Sequence, residues 1–159
     1  VNLPVRVLAI DPGRTEGVTA GSGWCYQDPN EVFKMGSTKD LEKLLIDWNL
    51  TDDPIDVLVV EEYRIIPQTI NQNIGIKQVT VQNIGAAKLW ARMNKIRVVE
   101  YLPTLKPTQC KATGVTPKKM QKIKEHEWDA YNHGRYFLIQ SGLAPSALEL
   151  EMIKKGLLK

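Results

Sequence analysis

The feature that most narrows what this chain can fold into is an almost unbroken apolar run, Val5 to Ile10, that ends in Asp11-Pro12-Gly13. A run without polar alternation reads as a strand buried on both faces, and the Pro-Gly that follows forces a turn. Asp11 is thereby left at a strand end, facing whatever lies beyond the sheet edge. The same grammar returns in Asp56-Val57-Leu58-Val59-Val60-Glu61. If the two strands are parallel neighbours, Asp11 and Glu61 share one space. Two ionised carboxylates held there repel each other unless a cation lies between them. Together they read as half of a metal site; either acid alone is better explained as a polar residue closing a strand.

With 159 residues and 43% apolar content, the chain suits a single domain over 1–159 with a substantial core, its last ~15 residues forming a helix or tail. A net charge of +3 does not by itself imply a nucleic-acid partner, so the placement of the charges matters more. Between Lys106 and Lys124 there are six lysines and no acid. Cys25 and Cys110 lack metal-like spacing, and neither a signal peptide nor a bilayer-spanning run is evident, so a cytoplasmic setting and no membrane partner are expected.

Read in order, Gly17 to Trp24 is β-prone and Glu31 to Gly36 offers another short strand, which with the first predicts an antiparallel meander. Ser37 and Asp40 resemble a capping box ahead of an amphipathic helix carrying Leu41, Leu44, Leu45 and Trp48. The acidic strand ending at Glu61 follows. A loop from Glu62 to Gln78 then precedes a helix from Val79 to Asn94 whose apolar residues exceed one stripe. Ile96 to Tyr101 reads as a fifth strand, and Leu105 to Ala112 as a short helix stopped by Gly114. Thr116-Pro117 marks the start of a helix running to about Gln140, with an interruption near Glu125, and Ser146 to Leu158 reads as a helix or tail.

Within that long helix, His126, Asp129 and His133 are spaced three and four apart and share a face, flanked by small Ala130. Two histidines and an aspartate in register, in a chain with two strand-end acids, favour a metal-ligand face over an ordinary polar surface. An oxygen-rich set with one imidazole suits Mg²⁺ or Mn²⁺ better than Zn²⁺.

Ile10-Asp11-Pro12-Gly13, Val60-Glu61-Glu62-Tyr63 and His126-Glu127-Trp128-Asp129-Ala130, in this order, resemble the RuvC family of Holliday junction resolvases, especially its phage-encoded members. The resemblance spans Val5 to about Gly142. It implies an α/β ribonuclease H-like fold, a five-stranded mixed sheet flanked by helices. It also implies four metal-binding catalytic positions, falling on Asp11, Glu61, His126 and Asp129. Many members have a carboxylate where His126 stands. Glu62 rivals Glu61, but strand alternation lets only one face the cluster, and the resemblance favours Glu61.

Two Mg²⁺ or Mn²⁺ ions held by such a set activate an attacking water and stabilise a departing 3′ oxygen, without a nucleophilic side chain. His126 as ligand and His126 as proton carrier are both compatible with the sequence. Lys106, Lys111, Lys118, Lys119, Lys122 and Lys124 lie beside the inferred site and are expected to contact phosphates. Tyr63 and Arg64 resemble the position from which these enzymes probe a junction centre. The expectation is a homodimeric endonuclease acting on four-way DNA junctions, in the bacterial host cytoplasm if phage-encoded. Flap, fork or RNA-containing duplexes are alternative substrates, and a non-catalytic DNA-binding module of the same fold is the alternative outside enzymes. An actin-like phosphotransferase also begins with strand-Asp-x-Gly, but needs a second phosphate loop and a far longer chain.

Overall fold

The computed structural model describes residues 4–13, 21–63, 76–117 and 125–159. Its sheet has five strands: β1 (Val7–Asp11), β2 (Ser22–Gln27), β3 (Val32–Thr38), β4 (Val57–Glu61) and β5 (Arg97–Tyr101). They lie in the order β3-β2-β1-β4-β5, antiparallel across the first three and parallel from β1 through β5. The described helices are α1 (Leu41–Trp48), α2 (Ile76–Met93), α3 (Lys106–Thr113), α4 (Glu125–Gln140) and α5 (Ala147–Lys154). None of the described helices is long and apolar enough to cross a membrane.

β1 is central and buried along its whole length, so its side chains need cover on both faces. Alternation assigns them. Leu8 and Ile10 point to a core with Tyr26, Leu45, Trp48, Leu58 and Trp90, which α1 and α2 close. Val7 and Ala9 point the other way, with Val57, Val59, Phe137 and Leu138, to a core closed by α4. Each such aliphatic side chain contributes about 1.5–3 kcal/mol through burial. The same period carries Asp11 and Glu61 to the α4 face.

Several boundaries differ from the sequence reading. β2 (Ser22–Gln27) runs past the expected end at Trp24, because the turn is made by Asp28, whose Oδ1 accepts from the amides of Asn30 (2.7 Å) and Glu31 (2.9 Å), while positions 17–20 of the expected strand lie outside the described residues. The expected Ser37 cap is not one. Ser37 lies in β3, and Asp40 caps α1 by accepting from the Lys43 amide at 3.0 Å. Such a side-chain cap is typically worth about 1 kcal/mol. Helix α2 is already formed at Ile76, before the expected Val79. A single 3₁₀ turn, Pro103–Leu105, precedes α3, which ends at Gly114 in the left-handed region (φ 73°). The rest of the Glu62–Gln78 loop, and the start of the helix expected after Thr116-Pro117, lie outside the described residues.

Candidate active site

The site is assembled at the carboxyl ends of β1 and β4. These strands are parallel, with Ile10 opposite Val60, so Asp11 and Glu61 follow at the same level. Alternation turns Glu61 toward α4. Glu62 instead lines a cavity with Tyr63, Ile84, Lys88 and Glu100 on the α2 side. Strand alternation thus brings Glu61, and not Glu62, to the α4 face beside Asp11.

Two glycines fix the surroundings. Gly13 has φ 64° and donates its amide to Asp11 Oδ1 at 3.2 Å; a Cβ there would fall 1.9 Å from the Gly21 carbonyl oxygen. Gly23 is the register partner of Asp11 on β2, and a Cβ on it would meet the His126 carbonyl carbon and oxygen at 2.1 Å. Its bare backbone lets the first turn of α4 settle on the sheet beside Asp11. Ser37 braces that turn from β3, donating to Glu127 Oε1 at 2.7 Å.

Residues of α4 then face the strand ends. His126 Nδ1 lies 3.1 Å from Asp11 Oδ2, and His133 Nε2 lies 3.3 Å from Glu61 Oε2. Asp129 comes between them along the helix and is buried. Ligand atoms of Asp11, His126 and Asp129 lie within 4.8 Å of one another, as do those of Asp11, Glu61 and His133. Asp11 belongs to both sets.

Lys106, from the first turn of α3, reaches into this cluster. Its ammonium is 3.0 Å from Glu61 Oε2, 3.2 Å from Asp129 Oδ2 and 3.6 Å from Asp11 Oδ2. The sequence groups it with the lysines expected to contact phosphates; the fold makes it the counter-charge of three carboxylates. Lys111 lies on the exposed side of α3. Lys118, Lys119, Lys122, Lys124 and Arg64 are outside the described residues, and Tyr63 sits at the α2-side cavity.

The electrostatics follow from burial and these contacts. Burial alone would raise the Asp11 carboxyl, but the His126 hydrogen bond and the Lys106 charge outweigh it and hold Asp11 well below the usual carboxylate range. Burial opposes the charge on Lys106 too, yet Asp11, Glu61 and Asp129 push its ammonium above the ordinary lysine value. Asp129 goes the other way: burial, reinforced by Asp11 and only partly offset by Lys106, raises it to about 6. The hydrogen bond to Asp11 raises His126 despite its partial burial.

This donor set fits divalent cations. Carboxylate oxygens come from three separate elements, the His126 imidazole hydrogen-bonds one of them, and among the described residues neither ring nitrogen of the fully buried His133 makes a hydrogen bond, although its Nε2 lies close to Glu61. One positive charge from Lys106 does not balance three carboxylates.

No protein-family model matches the sequence, and no curated protein matches it. Among solved structures, the chain is similar to T. thermophilus RuvC in complex with a Holliday junction substrate. That likeness has 15% sequence identity and a TM-score of 0.60, covering 89% of this chain and 99% of that one. It is similar also to a further Thermus thermophilus RuvC structure, with 14% identity, a TM-score of 0.53 and the same coverage. These likenesses establish the fold: the five-stranded mixed sheet with flanking helices is the ribonuclease H-like arrangement seen in RuvC.

Proposed function

We propose that this chain is a divalent-metal-dependent endonuclease of the RuvC type that cuts branched DNA, four-way junctions foremost. The observation that carries this reading is the convergence of Asp11, Glu61 and Asp129 with His126 at the carboxyl edge of β1 and β4. It is supported by the similar fold of a RuvC solved with a Holliday junction substrate. Asp11, Glu61, His126 and Asp129 are the catalytic and metal-holding residues. Two Mg²⁺ or Mn²⁺ ions, when bound there, supply an acidified water and charge neutralisation at the departing 3′ oxygen.

The protein's own part is placement. Asp11 and Glu61 are fixed by strand register, and Asp129 and His126 by a helix that Gly23 seats on the sheet. Lys106 balances the carboxylates and, with 32% of its side chain exposed, can reach a phosphate at the mouth of the site. Lys111, Lys118, Lys119 and Lys122 extend the positive charge along the DNA, while Tyr63 and Arg64 act at the junction centre.

A junction presents two equivalent strands, so the working unit is a homodimer. Val81, Leu89 and Met93 of α2 are exposed apolar residues suited to its interface. If the enzyme is phage-encoded, as its resemblance to phage members of the family suggests, it acts in the bacterial host cytoplasm. Incubating the chain with labelled four-way, flap and linear duplex DNAs, with and without Mg²⁺ or Mn²⁺, tests the proposal. Metal-dependent paired nicks in the junction support it, and cleavage of flaps alone would reassign the substrate.

A further inference from the structure

The geometry points to His133 as a second imidazole ligand, which joins Glu61 and Asp11 in holding a divalent transition-metal cation distinct from the one served by Asp11, His126 and Asp129. This rests on the nuclease reading above, and adds to it a ligand whose place beside Glu61 only the fold reveals.

His133 is 0% exposed, and among the described residues neither ring nitrogen makes a hydrogen bond. Leaving a buried polar group unsatisfied costs about 1–3 kcal/mol, so such a side chain needs a reason to be there. Its Nε2 is directed at Glu61 Oε2, 3.3 Å away. Two donor atoms bound to one divalent ion at roughly 2.1 Å stand roughly 3 Å apart, so this separation already suits a shared ion. Asp11 completes the set, with its ligand atom within 4.8 Å of both.

The placement is built by the fold. Asp129 and His133 are four residues apart, one helical turn, so α4 offers a ligand to each side of Asp11: Asp129 toward His126, and His133 toward Glu61. Each ion then receives one imidazole. Nitrogen donors favour Mn²⁺ and later transition ions over Mg²⁺, so the second ion belongs to that class. The Lys106 ammonium, 3.0 Å from Glu61 Oε2, neutralises the same carboxylate and would be displaced by the ion.

The test exploits the fact that the chain has only two histidines. Tag-free His126→Ala protein is loaded with Mn²⁺, and pulsed electron paramagnetic resonance is used to look for ¹⁴N coupling to the bound ion. With His126 gone, any imidazole coupling comes from His133, and His126 is partly exposed, so its removal spares the core. The expected result is a bound Mn²⁺ with ¹⁴N coupling. Bound Mn²⁺ without that coupling, or no bound Mn²⁺, overturns the inference. As a second measurement, calorimetric titration of His133→Leu should show one Mn²⁺ fewer per chain than wild type, and unchanged stoichiometry in a folded variant also overturns it. Wild-type junction cleavage is scored separately. Cleavage without the nitrogen coupling leaves the nuclease standing and removes only His133, whereas nitrogen-coupled Mn²⁺ without any DNA cleavage removes the nuclease and leaves the ligand.

Discussion

His126 Nδ1 stands 3.1 Å from Asp11 Oδ2, joining the first turn of α4 to the end of the central strand. A protonated imidazole strengthens that contact, whereas a metal ion needs the neutral ring. Protons and metal therefore compete at His126, whose affinity for protons the Asp11 bond has raised. His126→Asp should keep cleavage, shift preference toward Mg²⁺ and extend activity to lower pH at fixed metal concentration. His126→Ala should lose at least the ~10–100-fold that even outer-shell changes cost a metal site. Rate–pH profiles in Mg²⁺ and Mn²⁺ decide it; wild-type behaviour of His126→Ala in both metals would remove His126 from the site.

Asp129 and His126 make the metal-free protein respond to pH in the same direction. Asp129 is raised from 3.8 to about 6, so between those values only the folded state holds its proton. Folding stability then falls as pH rises across that window and stays lower above it. His126 is also raised, so its stabilisation is complete below 6.5 and is lost as pH rises through the folded value. In chelator, the melting temperature should drop from pH 5 to pH 8. Asp129→Asn should recover on the order of 1–2 kcal/mol at pH 8, the nominal 1.36 kcal/mol per unit being reduced for solvent access, while abolishing cleavage. A melting temperature that rises over this range would contradict the assignment.

Lys106 connects three carboxylates on three elements. Lys106→Gln should destabilise the metal-free protein by about 1–3 kcal/mol, less than the loss of a fully buried pair because the lysine is partly exposed. The same change should tighten Mn²⁺ binding, since it removes the competing charge. Thermal melts with and without Mn²⁺ read both effects: the variant should start lower and gain more. Equal metal-induced gains in the two proteins would show that Lys106 does not contest the ion.

Much of this architecture was legible in the sequence because strand patterns are short-range. Val7 to Asp11 and Val57 to Glu61 announce two buried strands ending in acid, and three-and-four spacing put His126, Asp129 and His133 on one face. What the sequence concealed depends on tertiary contact. Lys106 looks like its neighbouring lysines until α3 is docked beside α4. Spacing puts His133 on the ligand face but does not name its partner: Glu61 is 72 positions away in sequence and 3.3 Å away in space. Ser37 read as a helix cap because its spacing to Asp40 fits one, yet β3 continues through it and directs its hydroxyl to Glu127.

Gly23 is a further position where the fold supplies what spacing does not. Gly23→Ala would place a Cβ 2.1 Å from the His126 backbone and force α4 away from β2. Overpacking of this kind costs typically 1–3 kcal/mol, and a shift of about 1 Å at a catalytic group can cost ~100-fold in rate. Cleavage should therefore fall by more than the loss in melting temperature accounts for, although every ligand remains. A stable variant with full activity would show that the helix need not sit so close.

The most direct measurement compares wild type and Asp11→Asn on a labelled four-way junction, scoring both binding and nicking with Mg²⁺ and with Mn²⁺. Asparagine keeps the shape of Asp11 and removes the charge shared by both candidate ion sets. The expected result is metal-dependent nicking by wild type and its loss by roughly 1,000-fold or more in Asp11→Asn, several kcal/mol of transition-state stabilisation, with junction binding retained. Full nicking by Asp11→Asn at equal metal, or wild-type protein that binds the junction and never cuts it with either ion, would contradict a metal-dependent nuclease centred on Asp11.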